Sequence, residues 1–225
     1  MRQSAIQYVH KYRSELLLFA LVVQIMISPL ADFHPLIGAV LAVIVLLLVF
    51  AGATYMTNQR LPLFVVIPAA VIWLVARALE AFGNSHHPFT HLAPVAGLVL
   101  SCAVLWALLQ RFSSQHIVTR NLIAEAFINY LVIAIAFSQL YWIFNHFLRQ
   151  PFSHPVPRNQ TSDLLYFSMV TLSNLGYSTL APINPYLRFV TALESMLGIF
   201  YIAVVVARIV SSYRPRQHRA DRMPG

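Results

Sequence analysis

This chain has little charge, few acids and almost no cysteine. Only 10% of its 225 residues are charged, against about 25% in an ordinary soluble domain. That shortage excludes a water-soluble globule. The single cysteine, Cys102, excludes an intramolecular disulfide, and its place inside an apolar run reads as a small core residue. The opening MRQSAIQYVHKYRSE lacks the apolar core and small-residue cleavage site of a secretory signal, so no cleavage is expected. No HExxH motif, no pair of acids in an apolar run and no serine with a plausible base is present. An enzyme is therefore not expected, nor a cofactor.

What the chain has instead is hydrophobic sequence, 59% of it, in runs long enough to span a bilayer. Crossing a core of ~30 Å takes about 20 helical residues. Several reach that length, and six spanning segments are read, at roughly 16–31, 36–56, 61–82, 92–110, 122–145 and 186–211. Each is apolar all round, as expected of a lipid-embedded helix. The net charge of +8 comes from basic residues that flank these runs. It reflects the positive-inside bias and not nucleic-acid binding. With the N-terminus inside, the inner side receives Arg2, Lys11, Arg13, Arg60, Arg111, Arg120, Arg208, Arg214, Arg216, Arg219 and Arg222. The outer side receives only Arg149, Arg158 and Arg188. Both termini are thus expected in the cytoplasm of a cell (plasma or inner) membrane protein of the multi-pass kind.

One segment between the fifth and sixth runs does not span. Its first part, up to Thr161, is polar and rich in proline, as an outer loop should be. Residues 163–172 are apolar and aromatic but cover only about 15 Å as a helix, half a bilayer. Thr161 or Ser162 offers an N-cap, and Asp163 puts an acid in the first turn. A polar stretch, TLSNLGYSTLAP, follows from Thr171. We read a re-entrant half-helix that stops midway and returns as extended chain. Irregular backbone at that depth must be buried in protein or line a water-filled cavity. The negative end of the half-helix dipole, aimed into such a cavity, favours a cation.

Residues 163–210, DLLYFSMVTLSNLGYSTLAPINPYLRFVTALESMLGIFYIAVVVARIV, resemble the pore domain of tetrameric potassium channels, especially prokaryotic two-helix pore modules. The matching positions are Val170, Thr171, Leu172, Gly176, Tyr177, Pro182, Glu194, Gly198, Tyr201, Ala203, Val204, Ala207 and Arg208. With the preceding outer helix, the resemblance covers about residues 122–213. It implies an all-α membrane protein of six transmembrane helices, with a re-entrant pore helix and filter loop between helices five and six, assembling as a homotetramer around one pore. It also implies that Ser173, Asn174, Leu175, Gly176, Tyr177 and Ser178 form the ion-binding filter, flanked by Thr171 and Thr179. Potassium, or sodium, would be the only bound species. Glu194 would support the filter from behind, and Arg208 would lie at the gate. Gly198 fits either a hinge or a close helix contact.

The family filter TVGYG aligns with Asn174, Leu175, Gly176, Tyr177 and Ser178, a pattern also similar to the shorter filters of Trk/Ktr-type potassium transporters. Asn174 replaces the hydroxyl of the innermost site. Ser178 replaces a glycine whose backbone is difficult for a residue with a Cβ, and Thr179 replaces an outer acid. These departures predict weaker discrimination between potassium and sodium, and that restoring Asn174→Thr with Ser178→Gly raises it. The alternative is a channel-derived subunit or sensor that does not conduct.

The fourth run has no arginine before its end, so voltage-independent gating is expected, since a sensor needs several charges in the field. Arg77 and Glu80 read as an intrahelical pair. His86, His87 and His91 read as a solvated loop. Glu125 is placed for a partner near the gate. The sequon at Asn159 is a chance match. The organisation expected is a four-helix domain over 1–115, a pore domain over 116–213 and a basic tail over 214–225 that meets anionic lipid headgroups.

Overall fold

The structure, a computed structural model, describes residues 2–33, 60–81, 92–114, 120–157 and 161–212. Over these the chain is all-helical: α1 Arg2–Phe33, α2 Arg60–Ala81, α3 Ala93–Ser114, α4 Arg120–Phe147, α5 Thr161–Leu172 and α6 Pro185–Ser212. Two of them contain segments long and apolar enough to cross a bilayer. These are Ile123–Phe147, with mean hydropathy 1.7, and Pro185–Ser211, with 2.1. Shorter apolar helical stretches run over Leu17–Leu30, Ile67–Ala76 and Ala93–Trp106. The expected second span, the histidine cluster and the basic tail lie outside the described residues, as do the side chains of Arg77 and Glu80. The first helix starts well before residue 16, because the polar opening stretch continues the same helix.

The amino-terminal helices pack through small residues. Ala69, Trp73 and Ala76 of α2 meet Ala93, Ala96 and Leu100 of α3 in one buried cluster. Gly97 leaves room there: a Cβ would lie 3.1 Å from the Gln139 side chain and 3.3 Å from Trp73 Nε1. Small side chains at such a contact let the two helix backbones approach closely. Cys102, expected in this core, is exposed instead, because it lies on the opposite face of α3 from Ala96 and Leu100.

Helix α4 is the centre of the fold and touches α1, α3, α5 and α6. An aromatic cluster forms at its carboxyl end, where Tyr141 and Trp142 pack with Phe152, Val156, Leu164, Phe167 and Leu187. Tyr141 stands edge-on to Phe167 at 5.0 Å and to Phe152 at 6.2 Å. Edge-to-face pairs of this kind contribute about 0.5–1.5 kcal/mol beyond area burial. Gln150, at φ 51°, turns the chain out of α4. The next residues pair with the segment before α6: Ser153 N–H donates to Ala181 O at 2.8 Å and Ile183 N–H to Pro151 O at 2.9 Å.

Helix α6 buries one stripe and exposes the rest. Leu187, Glu194 and Gly198 are buried and Thr191 and Tyr201 half-buried. These positions recur at helical spacing on a single face. Outside it, Phe189, Leu193, Met196, Leu197, Phe200 and Val204 are exposed.

Candidate functional site: the α5–α6 loop and its supports

The site begins with how α5 ends. The last four carbonyls of a helix lack intrahelical partners. Here each finds one. Met169 O accepts from Ser173 N–H at 3.0 Å, Val170 O from Leu175 N–H at 3.0 Å and Thr171 O from Asn174 N–H at 3.0 Å. Leu172 O accepts from the Tyr130 hydroxyl at 3.0 Å and from Asn174 Nδ2 at 3.3 Å. The bonds from Leu175 and Asn174 are those of a Schellman cap, which places its closing residue in the left-handed region. That residue is Asn174, at φ 59°. Asparagine is the side chain that tolerates this conformation best after glycine.

Asn174 also reaches backwards. Its carboxamide oxygen accepts from the Ser195 hydroxyl and its Nδ2 donates to Ser195 O at 3.2 Å. The side chain expected at the innermost ion position is thus bonded to α6, at the base of the loop. Gly176 is the second left-handed residue, at φ 72°, with open space around it.

Ser178 is not left-handed; Asn174 and Gln150 are the non-glycine residues with positive φ among those described. Its hydroxyl accepts from Leu180 N–H at 3.2 Å, a local side-chain turn that serine makes readily. Replacing glycine by serine here therefore costs no backbone strain. Leu175 and Tyr177 are exposed, at 57% and 63%, and the Tyr177 ring lies 6.5 Å from Tyr166 on α5. Among the described residues, no donor reaches the carbonyls of residues 173–178, although the four before them are all engaged.

Behind the loop stands Glu194, fully buried. One carboxylate oxygen accepts from the Tyr141 hydroxyl of α4, the other from the Ser168 hydroxyl of α5. Ser168 Oγ also lies 2.8 Å from Ala134 O, and Tyr141 OH 3.5 Å from Thr191 Oγ1. A buried acid is tolerable only when its oxygens are hydrogen-bonded, and here the donors come from two different helices. Glu194 therefore joins α4, α5 and α6. One turn further on, Gly198 sits against the end of α5. Below that, the Tyr201 hydroxyl donates to Ala126 O at 2.7 Å and its ring lies tilted against Tyr130, centroids 5.7 Å apart.

The remaining expected positions are dispersed. Thr171 is half-buried on α5, Ser173 is exposed and bonds back to Met169 O at 2.7 Å, and Thr179 is exposed. Arg208 lies far along α6, half-buried, and Glu125 is buried near the start of α4. Sequence reasoning missed Tyr130, Tyr141, Ser168 and Ser195. Their shared signal is a hydroxyl inside an apolar run, which in a membrane helix faces the protein interior.

Residues 125–214 match the sequence model of a family described as "Ion channel". The match begins at Glu125 on α4 and takes in α5, the loop and all of α6. No curated protein and no solved structure matches the chain. What the comparisons give is a likeness to an ion-channel family over residues 125–214, in a chain whose described residues are helical and include two helices long and apolar enough to cross a bilayer.

Proposed function

We propose that the chain is the pore-forming subunit of a homotetrameric, voltage-independent channel for monovalent cations, with potassium the leading permeant ion and sodium admitted more than in a strict potassium pore. The observation that carries this reading is the contrast in carbonyls. Those of 169–172 are all used by the cap, and those of 173–178 take no hydrogen bond among the described residues. A filter needs carbonyls free to replace the hydration shell of an ion. Inverted handedness at alternate positions, Asn174 and Gly176, turns peptide groups that a uniform strand would point to opposite sides. One such loop cannot enclose an ion, so four copies are needed. The exposed apolar face of α6 supports contact with neighbouring subunits and lipid.

In this reading the N- and C-termini are cytoplasmic, the loop before α5 faces outward, and the basic residues beyond α6 meet anionic headgroups. The absence of a charge array in α3 supports voltage independence.

The test is flux through purified protein in liposomes. Potassium-driven flux, with a reversal potential that follows potassium and sodium gradients, is the expected result. A reversal potential that follows chloride sinks the reading. No flux at all favours the non-conducting subunit.

A further inference from the structure

We propose that Asp32, at the end of α1, is a positioning residue for the pore helix α5, so that α1 sets the placement of the filter; this rests on the channel reading above. Asp32 lies far outside the matched region, 129 and 130 residues before its partners. Its Oδ1 accepts from Thr161 N–H at 3.3 Å and its Oδ2 from Ser162 N–H at 3.2 Å. The Ser162 hydroxyl bonds to Oδ2 as well.

These amides are among the first four of α5, which have no partner inside the helix. The usual solution is a cap from the adjacent residue, and the sequence offers Thr161 or Ser162 for it. The structure uses neither in that way. Ser162 gives its hydroxyl to Asp32, and the carboxylate takes the amides. A negative charge at this end also matches the helix dipole. The bond is therefore stronger than a neutral cap and comes from a separate element.

Its mechanical position makes it consequential. Helix α5 has 12 residues, about 18 Å as a rigid rod. Its far end carries the Asn174 cap and the filter loop. Its middle is held by Ser168 and Glu194, and its far end by Tyr130 and Gly198, all supports within the matched module. Asp32 holds the near end from outside that module, and α1 packs along both α4 and α5. A shift of α1 then tilts α5 about its middle and moves the filter at the other end.

The experiment compares wild type, Asp32→Ala, Asp32→Asn and Ser162→Ala as full chains in liposomes. Potassium and sodium flux per folded protein is measured, with hydrogen exchange at the amides of residues 161–163. Expected for Asp32→Ala is faster exchange at those amides, a fall in flux of about tenfold, the scale of a lost charge-assisted bond, and a changed potassium-to-sodium ratio. Asp32→Asn, which keeps an acceptor, is expected between the two. Should Asp32→Ala fail to fold, the same two readouts on Asp32→Asn and Ser162→Ala decide. A conducting wild type with an unchanged ratio in every folded variant overturns the inference and leaves the channel reading standing. A silent wild type overturns both.

Discussion

Gly198 of α6 lies directly against Leu172, the last residue of α5. A Cβ built on it would stand 1.9 Å from the carbonyl oxygen of Leu172 and 2.9 Å from its carbonyl carbon. The neighbour is backbone and cannot swing aside. Close packing alone thus accounts for the glycine, without appeal to a hinge.

Gly198→Ala is therefore expected to displace α6 from α5. Overpacking typically costs about 1–3 kcal/mol, and a backbone neighbour places this case at or above the upper end. Gly97→Ala is the control, because its Cβ would meet mainly the flexible Gln139 side chain at 3.1 Å. Thermal unfolding in detergent should show a large loss for Gly198→Ala and a small one for Gly97→Ala. Equal stability with altered gating in Gly198→Ala alone would restore the hinge.

The buried acid Glu194 gives a second comparison. Glu194→Ala takes the acceptor from the buried Tyr141 hydroxyl, at about 1–3 kcal/mol, while the Ser168 hydroxyl keeps Ala134 O at 2.8 Å. Glu194→Gln keeps one acceptor and is expected to be milder. Because the three residues share one network, Ser168→Ala and Glu194→Ala should couple by about 0.5–3 kcal/mol in a double-mutant cycle. Additive effects would show that Ser168 and Glu194 do not act together.

Asn174 reverses an expectation from the aligned motif. Asn174→Thr restores the family residue but places a β-branched side chain at φ 59°, where such residues are outliers. It also removes the carboxamide from Ser195. Lower stability and no gain in potassium selectivity are expected. Asn174→Gly suits the backbone and should fold better than Asn174→Thr. Reversal potentials and melting temperatures of the two variants check this ordering.

Ser178→Gly relieves no strain, because Ser178 is not among the left-handed residues. It removes the bond to Leu180 N–H and adds chain entropy, so a loss of about 0.5–1 kcal/mol is expected. Selectivity should stay the same or fall. A rise in the potassium-to-sodium ratio in bilayer recordings would show that the conducting backbone differs at this residue.

Much of the helix–loop–helix arrangement over α5 and α6 was legible in the chain. The half-helix was readable because ten apolar residues cannot span a bilayer, and its end because polar residues follow it. Glu194 stood out because an acid in an apolar run has to be held by something. What held it was not legible. Tyr141 and Ser168 lie 53 and 26 residues away, and no local pattern encodes a contact at that separation. Asn174 was read as a change in ion chemistry because alignment compares side chains. Its left-handed backbone and its bond to Ser195 appear only when α5 ends and α6 comes alongside.

The chain by itself determined composition-driven properties: apolar helices, one short helix of 12 residues, and a polar loop around one glycine. These follow from hydropathy, length and backbone permissiveness, which are local. Tertiary structure decided which groups satisfy the ends of the half-helix. It placed Asp32 on the first turn, Tyr130 and Gly198 on the last carbonyl, and a shared acid between three helices. In an apolar interior an unpartnered polar group is costly, and which partner it finds depends on how the helices pack.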